Sequence, residues 1–166
     1  PPMVDTDFFQ PISIKTAPNK KHHFNIFTSA KLRWLKGFEF AIKAIDILIR
    51  RGWDIDYFIA GDGEYREQVA YTVRDLGLQQ RVHLLGWLDV EENREWLLKS
   101  DLYLLCSVQE GFNNSVLQAQ ACGLPCVVTD ANGLPENIEN EVTGLLAERR
   151  DPWDIAMTVQ QLLKNP

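Results

Sequence analysis

Short apolar runs alternate with longer amphipathic stretches along this chain. Phe24-Asn-Ile-Phe-Thr-Ser-Ala30 reads as a strand that ends in small residues and gives way to a basic loop. From Gly37 to Arg51, Phe38, Ala41, Ile45, Leu48 and Ile49 recur at helical spacing, and Gly52 suits a C-cap. Ile55 to Ala60 predicts a second strand, stopped by Gly61-Asp62-Gly63. Tyr65, Val69, Thr72, Val73 and Leu76 then mark one face of a helix closed by Gly77. Val82 to Leu85 is a third strand, and a short helix over Glu91 to Lys99 leads into a fourth, Leu102 to Cys106. A helix from Asn113 to Cys122, a strand from Cys126 to Thr129 and a short strand at Leu145-Leu146 follow. Asp151 and Pro152 then suit the N-cap and first turn of a last helix.

Repeated strand, loop and helix units with short apolar strands predict an α/β fold: a parallel sheet covered on both faces, in a Rossmann-like doubly wound domain. The domain is placed at 24–166. Residues 1–23, with prolines at 1, 2, 11 and 18, read as a mostly irregular lead-in. In such sheets ligands bind beyond the carboxyl ends of the strands. The loops after Ala30, Ala60, Leu85, Cys106 and Thr129 are therefore where chemistry is sought.

The composition narrows the choice. At 166 residues and a net charge of −6, the chain lacks the basic balance that nucleic-acid binding favours, though a local cluster of cations still suits one phosphorylated small molecule. No apolar run approaches the ~20 residues of a membrane helix, and the N-terminal residues do not form a signal peptide, so a soluble, cytoplasmic domain is expected. Cys106, Cys122 and Cys126 show no C-x2-C pair and read as free buried thiols. His22, His23 and His83 have no metal-ligand spacing, and no metal site is inferred.

Three polar loops fall on one sheet edge. The first, Lys31-Leu-Arg33-Trp-Leu-Lys36-Gly37, sets three cations before a helix start, as a phosphate site or equally a solvated basic loop. The second, Ser107 to Ser115, offers backbone N–H groups of Asn113, Asn114 and Ser115 to an anion and Glu110 to sugar hydroxyls; the alternative is that Asn or Ser caps the helix while Glu110 is solvated. The third, Asp130 to Glu136, turns at Gly133 and sets Glu136 at the start of a short helix, by default a structural turn. A glycosidase-like pair of Glu110 and Glu136 needs a separation that the sequence does not give. Neither a Walker sequence nor a complete dinucleotide fingerprint is present, since Arg66 stands where the third glycine would fall.

Taken in order, these loops resemble the donor-binding C-terminal domain of retaining GT-B glycosyltransferases of the group-one family. Val4-Asp-Thr-Asp-Phe8 with Pro11 looks like its N-G-V-D-T-x-x-F-x-P segment, and Ala30-Lys31-Leu32 through Lys36-Gly37 like its G-R-L-x3-K-G loop. Ile59-Ala-Gly-Asp-Gly63 is similar to I-x-G-D-G, Leu85-Gly86 to the later L-G, and Glu110-Gly-Phe112 to the opening of E-x7-E. Ala121-Cys-Gly-Leu-Pro125, Gly133-Leu-Pro-Glu136 and Thr143-Gly-Leu-Leu146 resemble A-C-G-x-P, G-x-P-E and T-G-L-L.

The resemblance implies one half of a GT-B fold and a nucleoside-diphosphate sugar such as a UDP- or GDP-sugar as donor, with no cofactor and no metal. By it Lys31 and Lys36 neutralise the leaving diphosphate, and Glu110 faces the donor sugar. The loop Gly111, Phe112, Asn113, Asn114 and Ser115 adds amide stabilisation. Gln118 falls where the family carries its second Glu, on the ribose; Trp87 is a candidate wall for the base, beside the plainer reading of a core or surface tryptophan. Glu136 belongs to the donor side. The acceptor site, and any membrane contact at the inner face, is expected from an N-terminal domain that this sequence does not hold, so transfer by the fragment alone is not expected. The whole enzyme would transfer a hexosyl-type group with retention, in polysaccharide, lipopolysaccharide or other glycoconjugate biosynthesis. Gln118 also supports a different class, a non-catalytic or degenerate nucleotide-sugar-binding module. A phosphorylase or a nucleotide-sugar epimerase is a further alternative, with no lysine identified for pyridoxal phosphate; a flavodoxin-like receiver is disfavoured by Lys31 where its acids would cluster.

Overall fold

The computed structural model describes residues 4–11 and 23–164, so most of the expected lead-in lies outside the described residues. Among the described residues, strands β1 (His23–Ser29), β2 (Asp54–Ala60), β3 (Val82–Gly86), β4 (Leu102–Leu105), β5 (Cys126–Thr129) and β6 (Gly144–Ala147) form one sheet. Helices α1 (Phe38–Arg50), α2 (Arg66–Asp75), α3 (Val90–Lys99), α4 (Asn114–Ala121) and α5 (Pro152–Lys164) connect or follow them. All pairings are parallel and the strand order is β3-β2-β1-β4-β5-β6. This is the doubly wound Rossmann-like sheet that the sequence predicts, with strand ends displaced by a residue at most.

Alternation of side chains along the central strands builds two cores. Ile26, Leu102, Leu104 and Val127 face α1, α2 and α5. Phe27, Tyr103, Leu105, Cys126 and Val128 face α3 and α4. Ile42, Ile45 and Leu48 of α1 are fully buried, each contributing about 1.5–3 kcal/mol of transfer free energy. The three cysteines are buried, and burial pushes the Cys106 and Cys126 thiols far above the ordinary range. Cys106 and Cys126 are therefore protonated and unreactive at neutral pH.

Local sequence explains several helix starts. Asp151 Oδ1 accepts from the N–H groups of Trp153 and Asp154, as its N-cap reading predicts. Helix α3 begins one residue earlier than expected because Asp89 and Glu92 form a reciprocal capping box. The segment before β1 is anchored too: Phe9 is buried against the second core, and Arg94 Nε donates to the Phe8 carbonyl at 2.6 Å. No helix among the described residues is long and apolar enough to cross a membrane.

Candidate functional site

The strand order reverses between β1 and β4, the switch point outside whose carboxyl edge such sheets bind ligands. A cleft of about 450 Å³ opens at this edge, lined by Ser29, Ala30, Lys31, Ala60, Gly61, Asp62, Trp87, Leu88 and Ser115. Small-molecule pockets span roughly 300–1,000 Å³. Small residues at the ends of β1 and β2 keep the floor open, and Trp87, 74% exposed, stands at its side.

Lys36 and Glu110, from the loops that follow β1 and β4, form an ion pair through Nζ and Oε2. Their side chains are only 17% and 15% exposed. The approach is set by backbone: the Val108 N–H donates to the Leu35 carbonyl at 2.7 Å, and Gly37 adopts φ +63° to lead from a 3-10 turn over Trp34–Lys36 into α1. Glu110 has a second partner, the Ser107 hydroxyl at 3.2 Å. Ser107 is fully buried, and its own carbonyl accepts from Thr129 Oγ1 at 2.6 Å. The carboxylate of Glu110 is thus covered and held, so its solvated alternative does not apply.

The loop after Glu110 departs from the anion-cap reading. Asn113 Oδ1 caps α4 by accepting from the Ser115 and Val116 N–H groups, while the Asn113 N–H donates to Asn137 Oδ1 at 3.0 Å. Asn137 Nδ2 returns a bond to the Asn113 carbonyl. Of the three amides proposed for an anion, those of Asn113 and Ser115 are therefore already committed to side chains. Gly111, Phe112 and Asn114 are exposed. Gly133 lies flat on this loop; a Cβ there would come within 2.9 Å of the Gly111 carbonyl carbon.

Gln118, one turn along α4 from Ser115, accepts from Asn93 Nδ2 at 3.4 Å. Asn93 is buried and its Oδ1 has no partner among the described residues. Glu136 is exposed and makes no ion pair among the described residues, whereas Glu110 takes Lys36. Lys31 is exposed on the cleft lining, and Lys36 stands apart from that lining with Glu110. Tyr103, Ser107, Asn137 and Asn93 escape the sequence reading. Tyr103 is fully buried, its hydroxyl pushed up by burial and donating to the Ser29 carbonyl at 3.0 Å beneath the cleft. Among the described residues no group of three or more His, Cys, Asp and Glu side chains is placed to hold a metal ion.

The fold is a Rossmann-like α/β fold of the kind found in GT-B glycosyltransferases. The profile of the glycosyl transferases group 1 family matches residues 23–165, and the chain belongs to that family. It is 34% identical over 143 residues to the amylovoran biosynthesis glycosyltransferase AmsK of Erwinia amylovora, a match covering 82% of this chain and 35% of AmsK. The chain thus spans about a third of the length of the curated relatives it matches. HepE of Anabaena, solved with UDP and glucose, superposes with a TM-score of 0.83 at 21% identity, over 98% of this chain and 46% of HepE. The C-terminal domain of a group 1 glycosyl transferase from Francisella tularensis superposes with a TM-score of 0.81 at 22% identity, over 98% of this chain and 89% of that domain.

Proposed function

We propose that this chain is the C-terminal, donor-binding half of a retaining glycosyltransferase that uses a nucleoside-diphosphate sugar in polysaccharide or other glycoconjugate biosynthesis. The observation that carries the reading is the juxtaposition of Lys36 and Glu110 at the β1/β4 switch point, on the same sheet edge as a cleft lined by Lys31, Trp87 and Ser115. Support comes from the family, from the UDP and glucose solved with HepE, and from the cover of a C-terminal domain in the Francisella protein.

In this reading the base lies against Trp87, and Lys31 and Lys36 meet the diphosphate as it becomes the leaving group. Neutralising that charge lowers the barrier because it grows as the glycosidic bond breaks. Glu110 faces the donor sugar, and Gln118 offers an acceptor to the ribose. A partner domain of the whole enzyme supplies the acceptor side, so the described half binds donor nucleotide and transfers no sugar alone. Calorimetric titration with UDP, GDP and ADP, each beside its monophosphate, tests this: one diphosphate binds and its monophosphate binds far more weakly. Binding by none of them would sink the reading.

The alternative, a non-catalytic nucleotide-sugar-binding module, draws on Gln118, whose neutral amide is engaged by Asn93. A carboxylate at 118 would accept from Asn93 and from ribose hydroxyls through charge-assisted bonds, roughly twice as strong as neutral ones. Gln118→Glu is therefore expected to tighten diphosphate binding about 3- to 10-fold, an effect of about 1 kcal/mol. The same titration reads it, and an unchanged affinity would mean that Gln serves this position as well as Glu.

A further inference from the structure

Resting on the donor-site reading above, we propose that Glu110 and a bound diphosphate compete for Lys36. Diphosphate binding takes the ammonium from Glu110 and turns the carboxylate free toward the sugar; when the diphosphate leaves, Glu110 takes the ammonium back.

The geometry sets up this exchange. Lys36 and Glu110 are bonded directly and both are largely covered, so the ammonium's closest counter-charge is the carboxylate. A diphosphate offers more charge and more acceptor oxygens than one carboxylate, and Lys36 has three donors on a flexible stem. The ammonium therefore follows the diphosphate. The carboxylate does not fall loose when it goes. Ser107, fully buried and anchored through its carbonyl to Thr129 Oγ1, holds Glu110 Oε2 by a second bond that does not involve Lys36. Ser107 is thereby a positioning residue: it keeps the carboxylate in place across the exchange.

Binding a diphosphate costs the Lys36–Glu110 pair. Glu110 is then a residue that faces the donor sugar and yet weakens the hold on the sugar-free nucleotide. Its return to Lys36 helps expel the diphosphate product. A residue that only held the donor sugar would leave the affinity for the sugar-free diphosphate unchanged.

A double-mutant cycle on the chain tests this by calorimetry with UDP, GDP and ADP, using whichever binds. Glu110→Gln keeps the shape and the Ser107 partner while removing the charge. It is expected to tighten diphosphate binding by at least about threefold, on the scale of a partly covered ion pair, and to leave the monophosphate unchanged. In the Lys36→Ala background the same substitution is expected to change affinity less than about twofold, because the competition is gone. Glu110→Ala carries the same expectation should Glu110→Gln fail to fold. Unchanged or weaker diphosphate binding by the Glu110 variants overturns the proposal. So does an equal tightening with and without Lys36, which would be general charge repulsion. If Lys36→Ala binds diphosphate like the parent chain, the donor-site reading falls as well; if Lys36→Ala weakens binding while the Glu110 variants do not tighten it, only the competition falls.

Discussion

If the proposed donor-site role holds, Lys36→Ala is expected to slow glycosyl transfer by the whole enzyme about 10²- to 10³-fold, the range for removing one preorganised charge-stabilising donor from a transition state. Most of the loss falls on kcat, because the diphosphate gains its full charge only as the glycosidic bond breaks. Stability falls too. The substitution leaves a carboxylate that is only 15% exposed with the Ser107 hydroxyl as its remaining side-chain partner among the described residues. Removing one member of a fully buried pair costs about 3–5 kcal/mol, so a partly covered pair should cost about 1–3 kcal/mol. Urea denaturation reads the second effect and steady-state rates the first. Lys36→Arg separates them: a guanidinium keeps Glu110 paired and restores stability, but its rigid planar fork at the site of a compact ammonium does not restore the full rate. An alanine variant with near-parental rate would remove Lys36 from the reaction.

The sequence made the sheet and its edge legible because both depend on local periodicity. Apolar strands such as Leu102–Leu105 and amphipathic α1 are specified within a few residues, and glycines and prolines mark where they stop. The three loops could be placed on one edge for the same reason. How the loops engage each other is a matter of long-range polar pairing, which periodicity does not encode. Asn113 illustrates this. Its position before an apolar helix allows either an anion site or a cap, and the choice is made by Asn137, 24 residues away, which bonds its backbone on both sides. Ser107 looks like any strand-end serine until Thr129 is seen fixing its carbonyl and Glu110 accepting its hydroxyl. The Asn93–Gln118 bond joins two helices with no shared motif. By contrast Asp89-Val-Glu-Glu92 was a readable capping signal, and it alone accounts for the earlier start of α3.

Gly37→Ala should be among the most damaging single-methyl additions to this fold, lowering stability by about 3–5 kcal/mol. Two costs combine. Gly37 has φ +63°, where a side chain itself costs about 1–2 kcal/mol, and its Cβ would lie 1.9 Å from the Cys106 carbonyl oxygen. That oxygen belongs to the backbone at the end of β4, so no rotamer change relieves the clash; the loop must lift off the sheet. Gly52 provides the control, with φ +91° but nothing within 4 Å of a built Cβ. Gly52→Ala should therefore cost only the conformational strain, about 1–2 kcal/mol, and the difference between the two variants measures the close approach. The same approach seats Lys36 beside Glu110, since the 3-10 turn ending at Lys36 is closed by the Gly37 N–H on the Trp34 carbonyl. Gly37→Ala should thus lose diphosphate binding even at temperatures where it remains folded, while Gly52→Ala keeps it. Denaturation midpoints and calorimetry on both variants decide this, and equal losses of stability would show that the loop yields without cost to the sheet.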